Sequence, residues 1–217
     1  MTRLRLVLIK SLASLCDPDS LSASIFITPG RSTATTIRYY IFDLAPCSLY
    51  YFCQGNYTGK IPSDGEALKQ MAKGLFYIHR QQFVHRDIKP SNIFISKNEP
   101  VKLMLANFSL YVDDDEPAKT FTISSDTWAL GCAFFYFLTR GIHPFGTNSK
   151  KIRYNMLVKQ RPSVEFETRF KTLQSSNNEM VEVYQLIRDM IKVEPSKRIP
   201  LELVIEKLER IYPADSS

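Results

Sequence analysis

The chain has 217 residues, of which 44% are hydrophobic and 23% charged, and its formal net charge at pH 7 is +6. This length and apolar content are sufficient for one domain, or for one domain with a small second lobe, and they exclude a disordered chain. The basic residues are scattered and form no aromatic and basic patch, which favours a solvated basic surface over a nucleic-acid site.

The cysteines and the apolar runs limit the class of protein further. Cys16, Cys47, Cys53 and Cys132 form no CxxC pair and no cluster with zinc spacing, which is typical of reduced thiols inside a cell. No apolar run approaches the roughly 20 residues that a membrane helix needs. We therefore expect an intracellular, cytoplasmic chain with no membrane span and no nucleic-acid partner.

The first third of the chain has few regular patterns. Residues 11–36 are rich in Ser and Thr and are interrupted by Pro and Gly, which predicts a loop with at most one short strand at IFIT, 25–28. The segment IRYYIFDL, 37–44, is aromatic and β-branched, which predicts a strand.

A helix is predicted over SDGEALKQMAKGLFYIH, 63–79, because a capping box of Ser63 and Glu66 precedes apolar residues at helical spacing. The segment FVHRDIKPSN, 83–92, then predicts a short strand that leads into a loop stiffened by Pro90. Two short strands follow, at IFIS and VKLML.

The second half of the chain is predicted to be helical. The segment DTWALGCAFFYFLTR, 126–140, is apolar on most faces and indicates a buried central helix, and NEMVEVYQLIRDMIK, 178–192, is amphipathic. The last helix, 200–211, is predicted to begin with Pro200 as its first residue. Strands first and helices afterwards predict an α+β fold.

The segment HRDIKPSN, 85–92, carries the most specific motif in the chain. It matches the pattern H-R-D-x-x-x-x-N at four separated positions, with Lys89 and Pro90 between them. In this pattern Asp87 accepts the proton of an attacking hydroxyl, Lys89 places positive charge beside a transferring phosphate, and Asn92 holds a metal ion.

This loop resembles the catalytic loop of serine/threonine protein kinases, and the resemblance extends over about residues 37–212. It implies a kinase-like domain with a truncated small β lobe and a mainly helical C-terminal lobe, preceded by a poorly defined remnant of the small lobe, 1–36, and followed by a tail, 213–217. It also implies ATP and Mg²⁺ as cofactors and protein hydroxyls as acceptors.

The same resemblance implies roles for further residues. Backbone groups near Asp43 and Ala45, in YIFDLAPCSL, would meet adenine, and Asn107 would be the second metal ligand beside Asn92. Asp126, in SDTWALGC, would brace the backbone of the catalytic loop. Arg198, in EPSKRIP, would be the cation of a late-lobe signature.

Within the kinases, stretches such as DLAPCSLYYF and GCAFFYFLTRGIHPFG are most similar to the inositol-requiring sensor of the unfolded protein response, a kinase joined to an endoribonuclease. That family is anchored in the endoplasmic-reticulum membrane and its kinases pair through their lobes. This chain is expected to contain neither the anchor nor the ribonuclease part, and its protein substrate or partner is left open.

Four departures from the kinase pattern bear on activity. Asn107 replaces the Asp of D-F-G, so the metal loses a charged ligand. No G-x-G-x-x-G occurs, and Lys10, a faint match to the phosphate-orienting lysine, has no glutamate partner before Glu66. The segment between Asn107 and Asp126 is short and lacks A-P-E.

These departures predict a kinase-family domain in which phosphoryl transfer is impaired or absent. Three alternatives stay open on the sequence: a kinase that tolerates the changes, a pseudokinase that acts as a binding or scaffold module, and a partial product of a kinase gene. The losses cluster before residue 37 and between residues 108 and 125, a pattern that fits divergence and an incomplete gene model equally.

Overall fold

A computed structural model describes residues 23–24, 41–42, 45–106, 122–173 and 178–213. The packing divides the chain into two units, Met1–Pro46 and Cys47–Ser217. In the first unit, strands β1 (Ala23–Ser24) and β2 (Ile41–Phe42) pair antiparallel. The predicted strand at 25–28 and most of the strand predicted at 37–44 lie outside the described residues, and the predicted domain boundaries stay a prediction.

The second unit contains a three-stranded antiparallel sheet in the order β3 (Cys47–Ser48), β4 (Ile93–Ile95) and β5 (Leu103–Leu105). The strands predicted at IFIS and VKLML are confirmed, and the first and last residues of β4 and β5 point into the core. The short strand predicted from residue 83 is wrong, because residues 83–88 are irregular. The amides of His85 and Arg86 donate to a side-chain carboxylate, that of Asp126, instead of to a neighbouring strand.

The rest of the described second unit is mostly helical, which confirms the α+β prediction. Its α-helices are α1 (Leu49–Cys53), α2 (Asp64–Arg80), α3 (Ile123–Leu138), α4 (Ser149–Tyr154), α5 (Val164–Leu173), α6 (Asn178–Met190) and α7 (Leu201–Ile211). A π-helical turn (Asn155–Lys159) follows α4, and 3₁₀ turns lie at Pro90–Asn92 and Pro195–Lys197.

Helices α3 and α7 begin at residues other than those that the sequence predicted. Helix α3 begins three residues before the predicted start, because Thr122 Oγ1 accepts from the Ser125 amide at 3.3 Å and the Ser125 hydroxyl accepts from the Thr122 amide at 3.4 Å. This reciprocal cap with serine at its third position is not the Glu or Gln pattern that a sequence search looks for. Pro200 is the residue before α7 and not its first residue.

The cap of α2 is formed only in part as predicted. The Ser63 hydroxyl accepts from the Glu66 amide at 3.3 Å. The Glu66 carboxylate, however, contacts Lys69 Nζ at 3.1 Å and Gln70 Nε2 at 3.0 Å. The long Glu66 side chain therefore stabilises the helix from its surface instead of returning to the Ser63 backbone.

Helix α3 forms the centre of the hydrophobic core. Its side chains include several that are fully buried, namely Leu130, Phe134, Phe135 and Phe137. It packs against α6 and α2, while α2 packs against α7 and β5. This packing places the first turn of α3 beside the loop that precedes β4, where Asp126 meets the backbone of that loop.

Gly131→Ala is expected to destabilise the protein by roughly 1–3 kcal/mol, because the core is already close-packed there. A Cβ at position 131 would lie 2.8 Å from Met190 Cβ and 2.9 Å from Ile191 Cγ2, on helix α6 and just beyond its end. The matched control is Gly74→Ala in α2, where the nearest atom would lie at 3.7 Å, an ordinary contact. Since alanine is the better helix former, that variant should gain up to about 1 kcal/mol. Urea unfolding of both variants checks the prediction, and equal stabilities would contradict it.

Lowering the pH is expected to weaken the fold through His143. This ring lies in the turn after α3, and its Nδ1 accepts from the Phe145 amide at 3.2 Å. Burial lowers the pKa of His143 to about 4. In the unfolded chain the pKa is about 6.5, so the stabilising contribution is complete above that pH and is lost as the pH falls towards 4.

The free energy of unfolding should therefore fall from pH 7 to pH 4 by roughly 3 kcal/mol more in the unmodified chain than in His143→Asn. Asparagine keeps an acceptor for the Phe145 amide but does not titrate. Urea unfolding at a series of pH values measures this difference, in which the carboxylates common to both proteins cancel. Parallel pH profiles would exclude the effect.

Three of the four cysteines lie within the described residues. Cys47, Cys53 and Cys132 are buried free thiols. Burial raises the pKa of Cys53 to about 11, so this thiol stays protonated and unreactive at neutral pH. None of the helices within the described ranges is long and apolar enough to cross a membrane.

Candidate active site

Asp87, Lys89 and Asn92 come together on the loop between α2 and β4. Lys89 Nζ lies 2.8 Å from Asp87 Oδ2. Asn92 donates through Nδ2 to the same carboxylate oxygen at 2.7 Å and to the Asp87 carbonyl at 2.9 Å. The Asp87 side chain is 43% exposed and Asn92 only 4%. A buried amide thus orients a carboxylate that solvent or a substrate can reach.

The turn that carries Asn92 explains this geometry. Pro90 begins a 3₁₀ turn, and the Asn92 amide donates to the Lys89 carbonyl at 2.9 Å, which turns the Asn92 side chain back towards Asp87. Ala106, just after β5, donates its amide to the Asn92 carbonyl at 2.9 Å. This hydrogen bond holds Ala106, the residue before Asn107, next to Asn92. Asn107 itself lies outside the described residues.

Asp126 braces the catalytic loop, as the resemblance predicted. Its carboxylate is 2% exposed and accepts from the amides of His85 at 2.6 Å and Arg86 at 2.9 Å. Arg86 has a φ of 69°, in the left-handed region that a residue with a side chain adopts only when its surroundings impose it. The two hydrogen bonds to Asp126 supply that constraint and so set the direction in which Asp87 leaves the loop.

His79 is a residue of this site that the sequence analysis missed. Its Nε2 lies 2.9 Å from Asp126 Oδ2, and its side chain is 5% exposed. It occupies the last turn of α2, 47 residues before its partner. The only sequence signal was a polar residue next to the apolar stripe of an amphipathic helix, which by itself does not indicate a partner.

His85 is a buried residue of this loop. It is 1% exposed, and burial lowers its pKa, although the Asp126 carboxylate opposes this effect. The Asp87 amide donates to His85 Nδ1 at 3.4 Å, which fits the neutral ring. Of these two side chains only the Asp87 carboxylate is accessible, so the role of general base stays a prediction for Asp87 and not for His85.

The described part of the site fits Mg²⁺ poorly. The side-chain nitrogen Nδ2 of Asn92 donates both hydrogen bonds to Asp87. A metal would therefore have to be held by the other atom of that amide, the neutral oxygen Oδ1 of Asn92. The nearby Asp87 carboxylate is already paired with Lys89. In the parts of the chain with described coordinates, no three His, Cys, Asp or Glu side chains are grouped to hold a metal ion. Magnesium prefers carboxylate oxygens, so this set of ligands is weak.

The other predicted site residues are not brought together by the described structure. Asp43, Lys10 and Asn107 lie outside the described residues. Ala45 is described and is partly buried at the end of the first unit. The adenine-contacting role of Asp43 and Ala45, and the metal-binding role of Asn107, stay predictions.

Arg198 bonds to neutral groups. Nη1 donates to the Ser124 carbonyl at 3.0 Å, while Nε and Nη2 donate to the carbonyls of Lys192 at 2.6 Å and Val193 at 2.8 Å. Burial lowers the pKa of its guanidinium. Arg198 thus ties the first turn of α3 to the segment after α6 through these hydrogen bonds.

Comparison with known proteins agrees with the geometry of this loop. Residues 38–122 match the model of the protein kinase domain. This match includes the whole segment from β2 to the cap of α3, and with it Asp87, Lys89 and Asn92.

Three relatives illustrate the range of similar proteins. The probable serine/threonine-protein kinase ireA of Dictyostelium discoideum is 32% identical over 152 residues, which cover 61% of this chain and 14% of the relative. The serine/threonine-protein kinase/endoribonuclease ireA of Aspergillus fumigatus is 26% identical over 232 aligned residues, 78% of this chain and 19% of the relative. An Aurora kinase of Eremothecium gossypii is 30% identical over 152 residues, 62% of this chain and 38% of the relative. The chain therefore spans well under half the length of these relatives.

Proposed function

We propose that this chain, which belongs to the protein kinase superfamily and is similar to the ireA kinases, is a serine/threonine-kinase domain with impaired transfer of the ATP γ-phosphate to protein hydroxyls. The observation that carries the proposal is that Lys89 and Asn92 both contact the accessible carboxylate of Asp87. It supports an intact base beside a metal site that has too little negative charge.

The chain's own residues account for the proton transfer. The Asp87 carboxylate would take the proton of the acceptor hydroxyl, a general-base role worth roughly 10²–10⁴ in rate. The Asn92 amide and the brace of Asp126 hold the carboxylate in one orientation, so that little reorganisation is needed. Lys89, at 2.8 Å from the carboxylate, would stand beside the phosphate.

The impairment follows from the metal ligands. When bound, ATP with Mg²⁺ supplies the phosphoryl group and the neutralisation of its charge. Asn92 and Asn107 are both neutral, whereas the kinase pattern has a carboxylate at the second of these positions. Each 1.36 kcal/mol of lost metal stabilisation lowers the rate about tenfold, so the loss of one charged ligand is sufficient for a large defect.

A thermal-shift titration with ATP, with and without Mg²⁺, combined with a phosphate-transfer assay on a mixed serine/threonine peptide library, tests the proposal. We expect ATP to raise the melting temperature by a shift that depends little on Mg²⁺, because ligands of the native state stabilise it. We also expect little or no phosphate transfer.

Asp87→Asn is the matched control for this assay, since it removes the base and keeps the size of the side chain. It should leave the ATP-dependent shift unchanged and abolish any residual transfer. Rapid Mg²⁺-dependent transfer by the unmodified chain would overturn the impairment, and the absence of any ATP-dependent shift would favour the pseudokinase or partial-product alternative.

A further inference from the structure

A basic and apolar surface lies on the side of helix α3 that carries Trp128. We define it by residues 147–164, which contain no Asp or Glu and five basic residues, namely Lys150, Lys151, Arg153, Lys159 and Arg161. Large apolar side chains are exposed in the same segment: Tyr154 is 50% exposed, Val158 65%, Leu157 69% and Val164 77%. Such a concentration of exposed apolar side chains in a folded protein marks an interaction site.

The exposure is imposed by the fold, because the C-terminal end of the surface and its middle are tied to the core, while its first helix has a cap of its own. Asn148 caps α4 by accepting from the Lys151 amide at 2.9 Å, and the Ser163 amide donates to the Pro144 carbonyl at 2.8 Å. In the middle, Asn155 Nδ2 donates to the Phe145 carbonyl at 2.7 Å. Leu157 and Val158 therefore face outwards from an anchored segment.

A cavity of about 270 Å³ opens beside these side chains. Its lining is mostly apolar and consists of Ser125, Trp128, Phe145, Met156, Leu157, Val193 and Arg198. Arg198 is the charged residue of the lining, and its guanidinium bonds to Ser124 and to two backbone carbonyls. An apolar side chain with a neighbouring carboxylate would fill the cavity and supply the counter-charge that these neutral groups do not.

We propose that this surface binds a protein segment of acidic and apolar composition. One large aliphatic or aromatic side chain of that segment enters the cavity, and carboxylates on either side pair with the basic residues of 147–164. The cavity is concave, whereas a lipid bilayer covers convex apolar faces, so the shape favours a peptide over an anionic membrane. The inference is independent of phosphoryl transfer.

The test uses the full chain and a fluorescein-labelled octapeptide in which a Leu-Phe pair is flanked on each side by three glutamates. Fluorescence anisotropy should show saturable binding that weakens as NaCl is raised from 50 to 300 mM, because exposed charge pairs are screened. Leu157→Glu should weaken binding at least tenfold, since it places a carboxylate on the wall of the cavity. A peptide with serines in place of Leu-Phe should bind at least tenfold more weakly as well.

Leu203→Glu is the matched control, because Leu203 is 44% exposed on α7 and lines no part of the cavity. Its affinity should equal that of the unmodified chain, and circular dichroism and urea unfolding should show both variants folded. A second variant, Lys159→Glu, tests the charge without touching the cavity wall and should weaken binding about threefold or more.

Three results would overturn the proposal. The first is no binding of the octapeptide, or binding that Leu157→Glu does not change. The second is binding to phosphatidylserine vesicles that Leu157→Glu abolishes while peptide binding is unaffected, which would assign the surface to a membrane. The third is a dimer of the unmodified chain, seen by sedimentation and lost in Leu157→Glu, which would make the surface a contact between two copies.

Discussion

Asp126→Ala is expected to lower the free energy of unfolding by about 3–5 kcal/mol, the largest stability effect of any single substitution considered for this chain. The carboxylate is 2% exposed and accepts from two backbone amides and lies 2.9 Å from His79 Nε2. Its removal leaves these buried donors without an acceptor, and each unsatisfied group costs roughly 1–3 kcal/mol. Urea unfolding monitored by the fluorescence of Trp128 measures the change.

Two further variants separate the lost hydrogen bonds from other effects of the substitution. Asp126→Asn keeps the volume and one acceptor oxygen, so we expect a smaller loss than with alanine. Glu206→Ala removes an exposed carboxylate from α7 and should change the free energy of unfolding by less than about 0.5 kcal/mol. If Asp126→Ala were as mild as Glu206→Ala, the proposed brace of the catalytic loop would be wrong.

Asn107→Asp is expected to raise the rate of γ-phosphate transfer at least about tenfold. The substitution restores the carboxylate that the kinase pattern places at this position, and a gain of 1.36 kcal/mol in metal stabilisation is enough for that factor. The ATP-dependent thermal shift should at the same time become dependent on Mg²⁺. Transfer of radiolabelled phosphate to a serine/threonine peptide library, measured at several Mg²⁺ concentrations, checks both expectations.

The control for this gain is the double variant Asn107→Asp with Asp87→Asn. Loss of the base should lower the new activity by roughly 10²–10⁴. Asp189→Asn, on α6 and away from the catalytic loop, should leave it unchanged. If Asn107→Asp produced no gain, the missing charge at the metal site would not be what limits transfer. The impairment would then have to arise from the absence of the glycine-rich loop or of the A-P-E motif.

Local patterns were sufficient to predict much of the second unit. The helical periodicity of 63–79 and 178–192 gave helices α2 and α6 to within a residue or two, because each buries one continuous apolar stripe. The strands β4 and β5 were found for the same reason, as short β-branched and apolar runs separated by a turn. Helices α1, α4 and α5 were not predicted, since they are short and their apolar stripes are weak.

In the catalytic loop, contacts between neighbouring residues were predictable, whereas contacts between distant elements were not. Asp87, Lys89 and Asn92 lie within six positions, so their meeting depends on one 3₁₀ turn that Pro90 already favours. Asp126 was found only through the family resemblance, and its partner His79 was not found at all. Their contact depends on the packing of α2 against α3, which no local pattern contains.

The sequence by itself determined the chemical groups available to this protein: a base, a lysine and an amide at a spacing typical of kinases, and a neutral residue where a charged metal ligand is expected. Those features are local, and the chemistry of a side chain does not depend on the fold. Only the tertiary structure decided that a buried carboxylate from α3 holds the backbone of the catalytic loop. It also decided that Leu157 and Val158 remain exposed beside a cavity, because burial depends on which surfaces meet after the chain has folded.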